Sequence, residues 1–202
     1  MANGKVCTGF SMPMVAIYSH SGTTVTYTGG RPLARGVSVD IQPTVADDNP
    51  FFADNIQAEN VAGTFTGGTA TLTVDGLLAE AEDMILGLPE GTSVSYGGDK
   101  TVLVRDYGDS MNPPYVGVGF LVRYMSGGVT TYAPTVLTKG RFNQPNTSAN
   151  TQGQSIDWQT QPLTLQLSRD DSANHNWKRV ADDVATEEEG IAVLRALLNI
   201  TE

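Results

Sequence analysis

Cysteine and long apolar runs are both scarce in this 202-residue chain. Cys7 is the only cysteine, so no disulfide can form within the chain, which suits synthesis in a reducing compartment. It falls in a predicted strand, and we interpret it as a small core residue rather than a nucleophile. No apolar run approaches the roughly 20 residues that cross a bilayer, so we expect no membrane partner.

Basic residues are also few: 12 Lys and Arg stand against 22 Asp and Glu, giving a formal net charge of −10. A protein that grips nucleic acid normally presents Lys and Arg to the phosphates. The charge balance therefore predicts an acidic surface that repels DNA rather than a surface that binds it.

The residue patterns of enzymes and metal sites are missing as well. His20 and His175 lie in polar surroundings without a cysteine pair or an HxxxH spacing, so we expect no metal. No G-x-S-x-G elbow or phosphate-binding loop occurs. The acidic pairs at 47–48 and 170–171 are more typical of turns than of a glycosidase. We predict a protein that is not an enzyme and has no cofactor.

A long β-hairpin between Asn112 and Phe142 dominates what is present. Strand side chains alternate between two faces, and one face here is entirely apolar: Val116, Val118, Phe120, Val122 and Tyr124. The opposite face is bare at Gly117 and Gly119, and glycine inside a strand often marks a bulge or the close approach of another backbone. Ser126-Gly127-Gly128 supplies the turn.

Alternating patterns elsewhere predict further antiparallel strands. Lys5 to Tyr18 contains Pro13, which cannot donate to a ladder, so this segment is predicted to be an edge strand or two short strands. A half-buried strand is expected around residues 37–41, a hairpin over 92–106 turned at Gly97-Gly98, and a last strand over 163–167. Ile156 and Trp158 are expected to face inward.

Two helices are predicted. The first covers about residues 76–87, with Asp75 as N-cap and Gly87 as C-terminal stop. The second covers about 186–199, beginning with a Thr186 to Glu189 capping box and carrying a leucine stripe that covers either its own sheet or a neighbour. The predicted fold is mainly β: an antiparallel β-sandwich or partly closed barrel over 1–169, with an acidic helical extension over 170–202.

The segment from Pro43 to Asn60 is predicted to be a long irregular loop. Phe51 and Phe52 lie at its centre, between acidic residues. They either tuck under their own loop or anchor a neighbouring molecule, because buried aromatic residues dominate the binding energy of interfaces.

Several short stretches, taken in order, resemble the major tail tube proteins of long-tailed bacteriophages, especially those of Gram-positive hosts. They are Phe52-Ala53-Asp54-Asn55 with Ala58-Glu59, TATLTV running into LLAEAEDMILG, PYVGVGF at 114–120, Lys139-Gly140-Arg141-Phe142, and QSIDWQ at 154–159. The likeness covers about Gly4 to Ser168 and leaves out the tail from Asp170.

The resemblance implies a virion structural protein that assembles in the host cytoplasm into stacked, usually six-fold rings. The resulting tube would conduct genomic DNA without binding it specifically. Partners would be further copies of the chain and other tail proteins: the tape measure, the tail tip and the terminator. The expected subunit-interface residues are Phe51, Phe52, Asp54, Asn55, Gly117 and Gly119. In such a tube, the bare face at Gly117 and Gly119 would line the lumen or meet a neighbour's strand.

Two other functions fit the same sequence. One is a monomeric carbohydrate-binding or decoration module with Trp158, Trp177 or Tyr132 as a stacking platform. The other is the inner-tube protein of a contractile injection device, which shares the architecture.

Overall fold

A computed structural model describes residues 4–200 and is mainly β, as predicted. All strand pairings are antiparallel. The large sheet contains β1 (Val6–Ser21), β2 (Thr24–Pro32), β3 (Gly36–Val45), β6 (Phe65–Val74), β9 (Val116–Ser126), β10 (Val129–Phe142), β11 (Gln161–Leu167) and β12 (Lys178–Val180). Two separate hairpins are formed by β4 (Asn49–Ala53) with β5 (Ile56–Val61), and by β7 (Thr92–Tyr96) with β8 (Lys100–Val104).

The large sheet curls without closing. Its strand order is β2-β1-β9-β10-β11-β6-β3, and β12 pairs with β10. The curl brings β3 back over β1, so that a Cβ on Gly36 would collide with the ring of Phe10. Because β2 and β3 each pair with a sheet neighbour on one side only, the predicted sandwich is confirmed and a closed barrel is not formed.

Two apolar cores cover the two faces of the sheet. The inner core contains Val118, Phe120 and Leu163, and helix α1 (Ala79–Leu86) contributes Ile85 to it. This confirms the predicted apolar face of the central hairpin. The outer core contains Ala16, Tyr27, Leu121 and Val136, covered by Leu194 of helix α2 (Glu187–Leu197) and by its C-cap residue, Leu198.

Helix α1 is shorter than predicted and has a different start. Its N-cap is Leu78, without a side-chain hydrogen bond, and Gly87 ends the helix in the left-handed conformation, as predicted. Asp75 is not the cap, because its carboxylate accepts hydrogen bonds from the backbone N–H and the guanidinium of Arg35. The Leu78 N–H donates to the Leu33 carbonyl, which holds this residue against the β2–β3 connection instead.

Helix α2 has the predicted capping box: the Thr186 hydroxyl accepts from the Glu189 N–H, and the Glu189 carboxylate accepts from the Thr186 N–H. Its leucines pack on the chain's own sheet, which decides between the two alternatives for the stripe. They also cover the bare face of β9. A Cβ on Gly119 would lie 2.9 Å from Leu198 Cδ1, and one on Gly117 would collide with the Tyr27 ring.

The expectation that Gly117 and Gly119 line a lumen or meet a neighbour therefore does not hold in this structure. Both glycines are buried under side chains of the same chain. Small residues at these positions allow Tyr27 and helix α2 to approach the strand closely.

Four smaller predictions are corrected. Strand β1 is not an edge strand, because it pairs with β2 and β9, and Pro13 is accommodated in a bulge beside Met12, whose φ is +53°. Cys7 is exposed, not in the core. Trp158 is 82% exposed, and Ile156 is also exposed rather than inward. The strand over 163–167, β11, is not the last strand, because β12 follows it.

Neither helix in residues 4–200 is long and apolar enough to cross a membrane.

A polar clamp fixes the start of the C-terminal extension to the sheet. The Asp171 carboxylate accepts hydrogen bonds from Lys139 Nζ and from the Tyr18 hydroxyl, both at 2.6 Å. Burial and this carboxylate raise the pKa of Tyr18 to about 12, so the hydroxyl stays protonated and donates. The two donors lower the pKa of Asp171.

We expect Asp171→Asn to destabilise the fold above about pH 5 and to have a shrinking effect below about pH 4. A carboxylate with a lowered pKa contributes stability above its unfolded-state pKa and loses it as pH falls through the folded value. The loss at pH 7 should be on the order of 1 kcal/mol, measured by urea unfolding at several pH values. Asp182→Asn, at an exposed position, is the control. A pH-independent difference between Asp171→Asn and the natural chain would contradict this account.

We expect Gly119→Val to cost about 1–3 kcal/mol of unfolding free energy, because the added methyls overpack the contact with helix α2. Combining it with Leu198→Ala should cost less than the sum of the two single changes, since alanine leaves room for the valine. Gly153→Val is the control, because a Cβ there meets nothing within 4 Å. Additive costs would show that Gly119 and Leu198 do not share this contact.

Candidate functional site

The predicted loop over residues 43–60 is in fact an ordered hairpin. Strand β3 continues to Val45, the Ala46 N–H donates to the Thr64 carbonyl, and β4 then pairs with β5. The Asp48 carboxylate holds the bend by accepting from the Gly63 N–H and the Asn60 side chain, and both bonds lower the pKa of Asp48. We call Asn49–Val61 the arm, because it extends the β3–β6 pair beyond the sheet.

The arm ends in a tight two-residue turn at Asp54 and Asn55. Their φ angles are +50° and +63°, and Ala53 pairs directly with Ile56 on either side. Positive φ at both central residues is typical of the type I′ turn, which matches the twist of hairpin strands, and Asp and Asn tolerate it better than other side chains except glycine. The structure therefore gives these two predicted interface residues a role in the backbone geometry of the arm.

The large apolar side chains of the arm are exposed. Phe51 is 62% exposed, Phe52 61%, and Ile56 and Val61 67% each. Of the two readings left open for the phenylalanines, tucking under their own segment is therefore wrong for this structure.

The pairing register of the arm divides these side chains between two faces. Residues paired across antiparallel strands share a face. One face consists of Asn49, Phe51, Ala53, Ile56, Glu59 and Val61. We call this the Phe51 face, and Glu59 is its only charged residue. Phe52 lies on the opposite face with Gln57.

The β7–β8 hairpin has an apolar face of the same kind, which the sequence analysis did not identify as a site. Its members are Thr92, Val94, Tyr96, Lys100, Val102 and Val104. We call this the Tyr96 face. The three valines and the tyrosine are between 38% and 55% exposed, and Lys100 is the only charged residue. Part of the signal was present in the sequence, since Val94 and Tyr96 alternate with serines in β7, whereas β8 has three consecutive apolar residues, Val102 to Val104.

Side-chain contacts anchor the base of the β7–β8 hairpin to helix α1. The Arg105 guanidinium forms a two-point hydrogen bond with the Asp83 carboxylate, with Nη2 2.9 Å from Oδ2. The Tyr107 hydroxyl donates to Glu82 at 2.8 Å. The hairpin is thus fixed where it joins the body, while its Tyr96 face stays open.

The arm and the β7–β8 hairpin lie at opposite ends of the sheet. Strand β6 runs from Phe65, beside the base of the arm, to Val74, which leads into α1 and then β7. Ten strand residues span roughly 30 Å. Strand β9, which is antiparallel to β10, also begins at the α1 end of the sheet. The segment between Val74 and Val116 therefore leaves the sheet and returns to it at the same end.

The other aromatic candidates are mostly engaged within the chain. Trp177 stacks on Phe65 with ring centroids 4.8 Å apart, and Tyr132 is half-buried against the outer core. Only Trp158 is widely exposed among the three proposed platform residues. Across residues 4–200, no group of three or more His, Cys, Asp or Glu side chains is placed to hold a metal ion.

We expect Phe51→Ser and Phe52→Ser each to change the unfolding free energy of the monomer by less than about 0.5 kcal/mol, because both side chains are already in water. Phe120→Ala, in the inner core, should cost about 3–5 kcal/mol by the same urea titration. If a serine at 51 or 52 destabilised the monomer as much as Phe120→Ala, the arm would have to pack on its own chain.

Two exposed ribbons with apolar faces, one at each end of the sheet, are thus the surfaces in residues 4–200 best suited to contact other molecules. The face of β9 that carries the glycines is not one of them.

No protein-family model matches this chain, and no curated protein shows significant similarity to it.

Proposed function

We propose that this protein is a structural subunit that assembles with copies of itself into stacked rings, forming a tube of the bacteriophage tail type that conducts DNA. The observation that carries the proposal is the arm, a two-stranded ribbon on which Phe51, Phe52, Ile56 and Val61 are exposed to water. An isolated two-stranded hairpin is only marginally stable in water. A partner that covers the arm would remove this unfavourable exposure.

The edges of the sheet support a ring. Strands β2 and β3 each pair within the sheet on one side only. A free strand edge is a template for pairing with another chain, and a head-to-tail contact between different surfaces closes into a ring when its rotation allows. The monomer thus offers lateral edges for a ring and apolar ends for stacking.

The charge of the chain suits a conduit. The net charge of −10 would keep the phosphates of passing DNA from adhering to a wall, within a Debye length of about 8–10 Å. The arm and the residues next to it contribute to this charge. Residues 43–64 contain Asp47, Asp48, Asp54 and Glu59 but no Lys or Arg.

The monomeric carbohydrate-binding alternative has less support. It needs aromatic side chains that line a groove, whereas Trp177 is stacked on Phe65 and Tyr132 is half-buried. An inner tube of a contractile injection device would use the same surfaces as a phage tail tube, and the cargo alone would differ.

The test is negative-stain electron microscopy of the purified chain over a series of protein and salt concentrations, with sedimentation velocity alongside. We expect rings or tubes with an open centre, and more of them at higher salt, because salt screens repulsion between acidic subunits. Phe51→Ser combined with Phe52→Ser should leave folded monomers or single rings that do not grow into tubes.

Val180→Ser is the control, since Val180 is 57% exposed and lies on β12, which belongs to neither ribbon. A natural chain that stays monomeric under every condition would overturn the proposal. Normal tubes from the double serine variant would exclude the arm from the assembly.

A further inference from the structure

We propose that the Phe51 face of the arm in one copy packs on the Tyr96 face of the β7–β8 hairpin in the next copy along the stack. The inference rests on the proposed self-assembly and names the two surfaces that join. Both are exposed faces of two-stranded ribbons, and both have an apolar centre.

The position of the two ribbons makes the contact intermolecular. They leave the body at opposite ends of the β3–β6 pair, roughly 30 Å apart. They cannot meet within one chain while the sheet is intact. A translation of one copy along the strand direction brings the arm of one to the β7–β8 hairpin of the other, and the step can be repeated without end.

The two faces are complementary in charge. Each carries one charged side chain, Glu59 on the arm and Lys100 on the hairpin. Glu59 is paired across its ribbon with Phe51, and Lys100 with Tyr96, so each charge lies beside the aromatic side chain of its own face. Neither forms an ion pair within the part of the chain that the structure describes. Packing face to face allows Glu59 and Lys100 to pair.

The small area of the contact implies that rings form before they stack into a tube. A ribbon of five residue pairs offers a face of roughly 17 by 10 Å, so one contact buries about 340 Å² in total. A stable two-protein interface needs about 1,200 Å² or more. A single arm would therefore not hold two monomers together, whereas several arms acting in parallel between two rings would.

Cross-linking within assembled protein tests the contact. In a Cys7→Ser background, which removes the exposed native thiol, one chain carries Phe51→Cys and a second carries Val102→Cys. The two chains are mixed, assembled and treated with a short bismaleimide. We expect a covalent heterodimer from the assembled fraction and little from the monomer fraction.

The matched control uses the opposite faces of the same ribbons, Phe52→Cys with Leu103→Cys. Its cross-linking yield should be at least five-fold lower. Assembled tubes in which the first pair does not cross-link, or cross-links no better than the control pair, would overturn this contact and leave the proposed function standing. The natural chain is assembled in parallel, and its failure to assemble at all would overturn the proposed function and this inference together.

A charge exchange gives a second readout. Glu59→Lys or Lys100→Glu alone should raise the protein concentration needed for tube growth by about five-fold, the scale of an exposed ion pair. Both changes in the same chain should bring it back to within about two-fold of the natural value. A double variant that assembles no better than the single variants would contradict the pairing.

Discussion

The close approach of helix α2 to strand β9 is the contact on which the rest of this structure depends. Gly119 has no side chain to hold the helix away, and Leu194 and Leu198 fill the space. Because this contact covers the outer face of the central strands, the sheet is buried on both faces. Much of the apolar surface that remains exposed lies on the two ribbons.

The body and the two ribbons differ in how they are stabilised. The body has two cores and the Asp171 clamp, whereas each ribbon has little more than its own ladder of hydrogen bonds and one anchored base. Such segments are the low-stability parts of a protein, and they are the parts that can adjust to a partner.

Local pattern predicted the body well and the surfaces less well. Alternation identified the apolar face of Val116, Val118 and Phe120, and the capping box located α2. Alternation shows which residues share a face, but not what covers it. The glycine face was therefore assigned to a lumen or a neighbour, whereas Tyr27 and leucines about 75 residues later in the chain cover it. The acidic and amide residues of the arm resemble a loop in sequence, yet they form its bend and its turn. Phe51 and Phe52 were selected from the sequence as candidates and are exposed, while the β7–β8 segment was predicted only as a hairpin.

The composition of the Phe51 face depends on one irregularity in β5. The register shifts between Phe51 and Phe52, because Ala58 is an extra residue between Gln57 and Glu59. If β5 paired without this register shift, Ala58 and Asn60 would share the face of Phe51, and Glu59 and Val61 would lie on the opposite face. The chemistry of the face is thus encoded in strand length as well as in residue type. During divergence of such a chain, a substitution in the arm would alter one side chain, whereas a one-residue insertion or deletion in β5 can turn over half of the face.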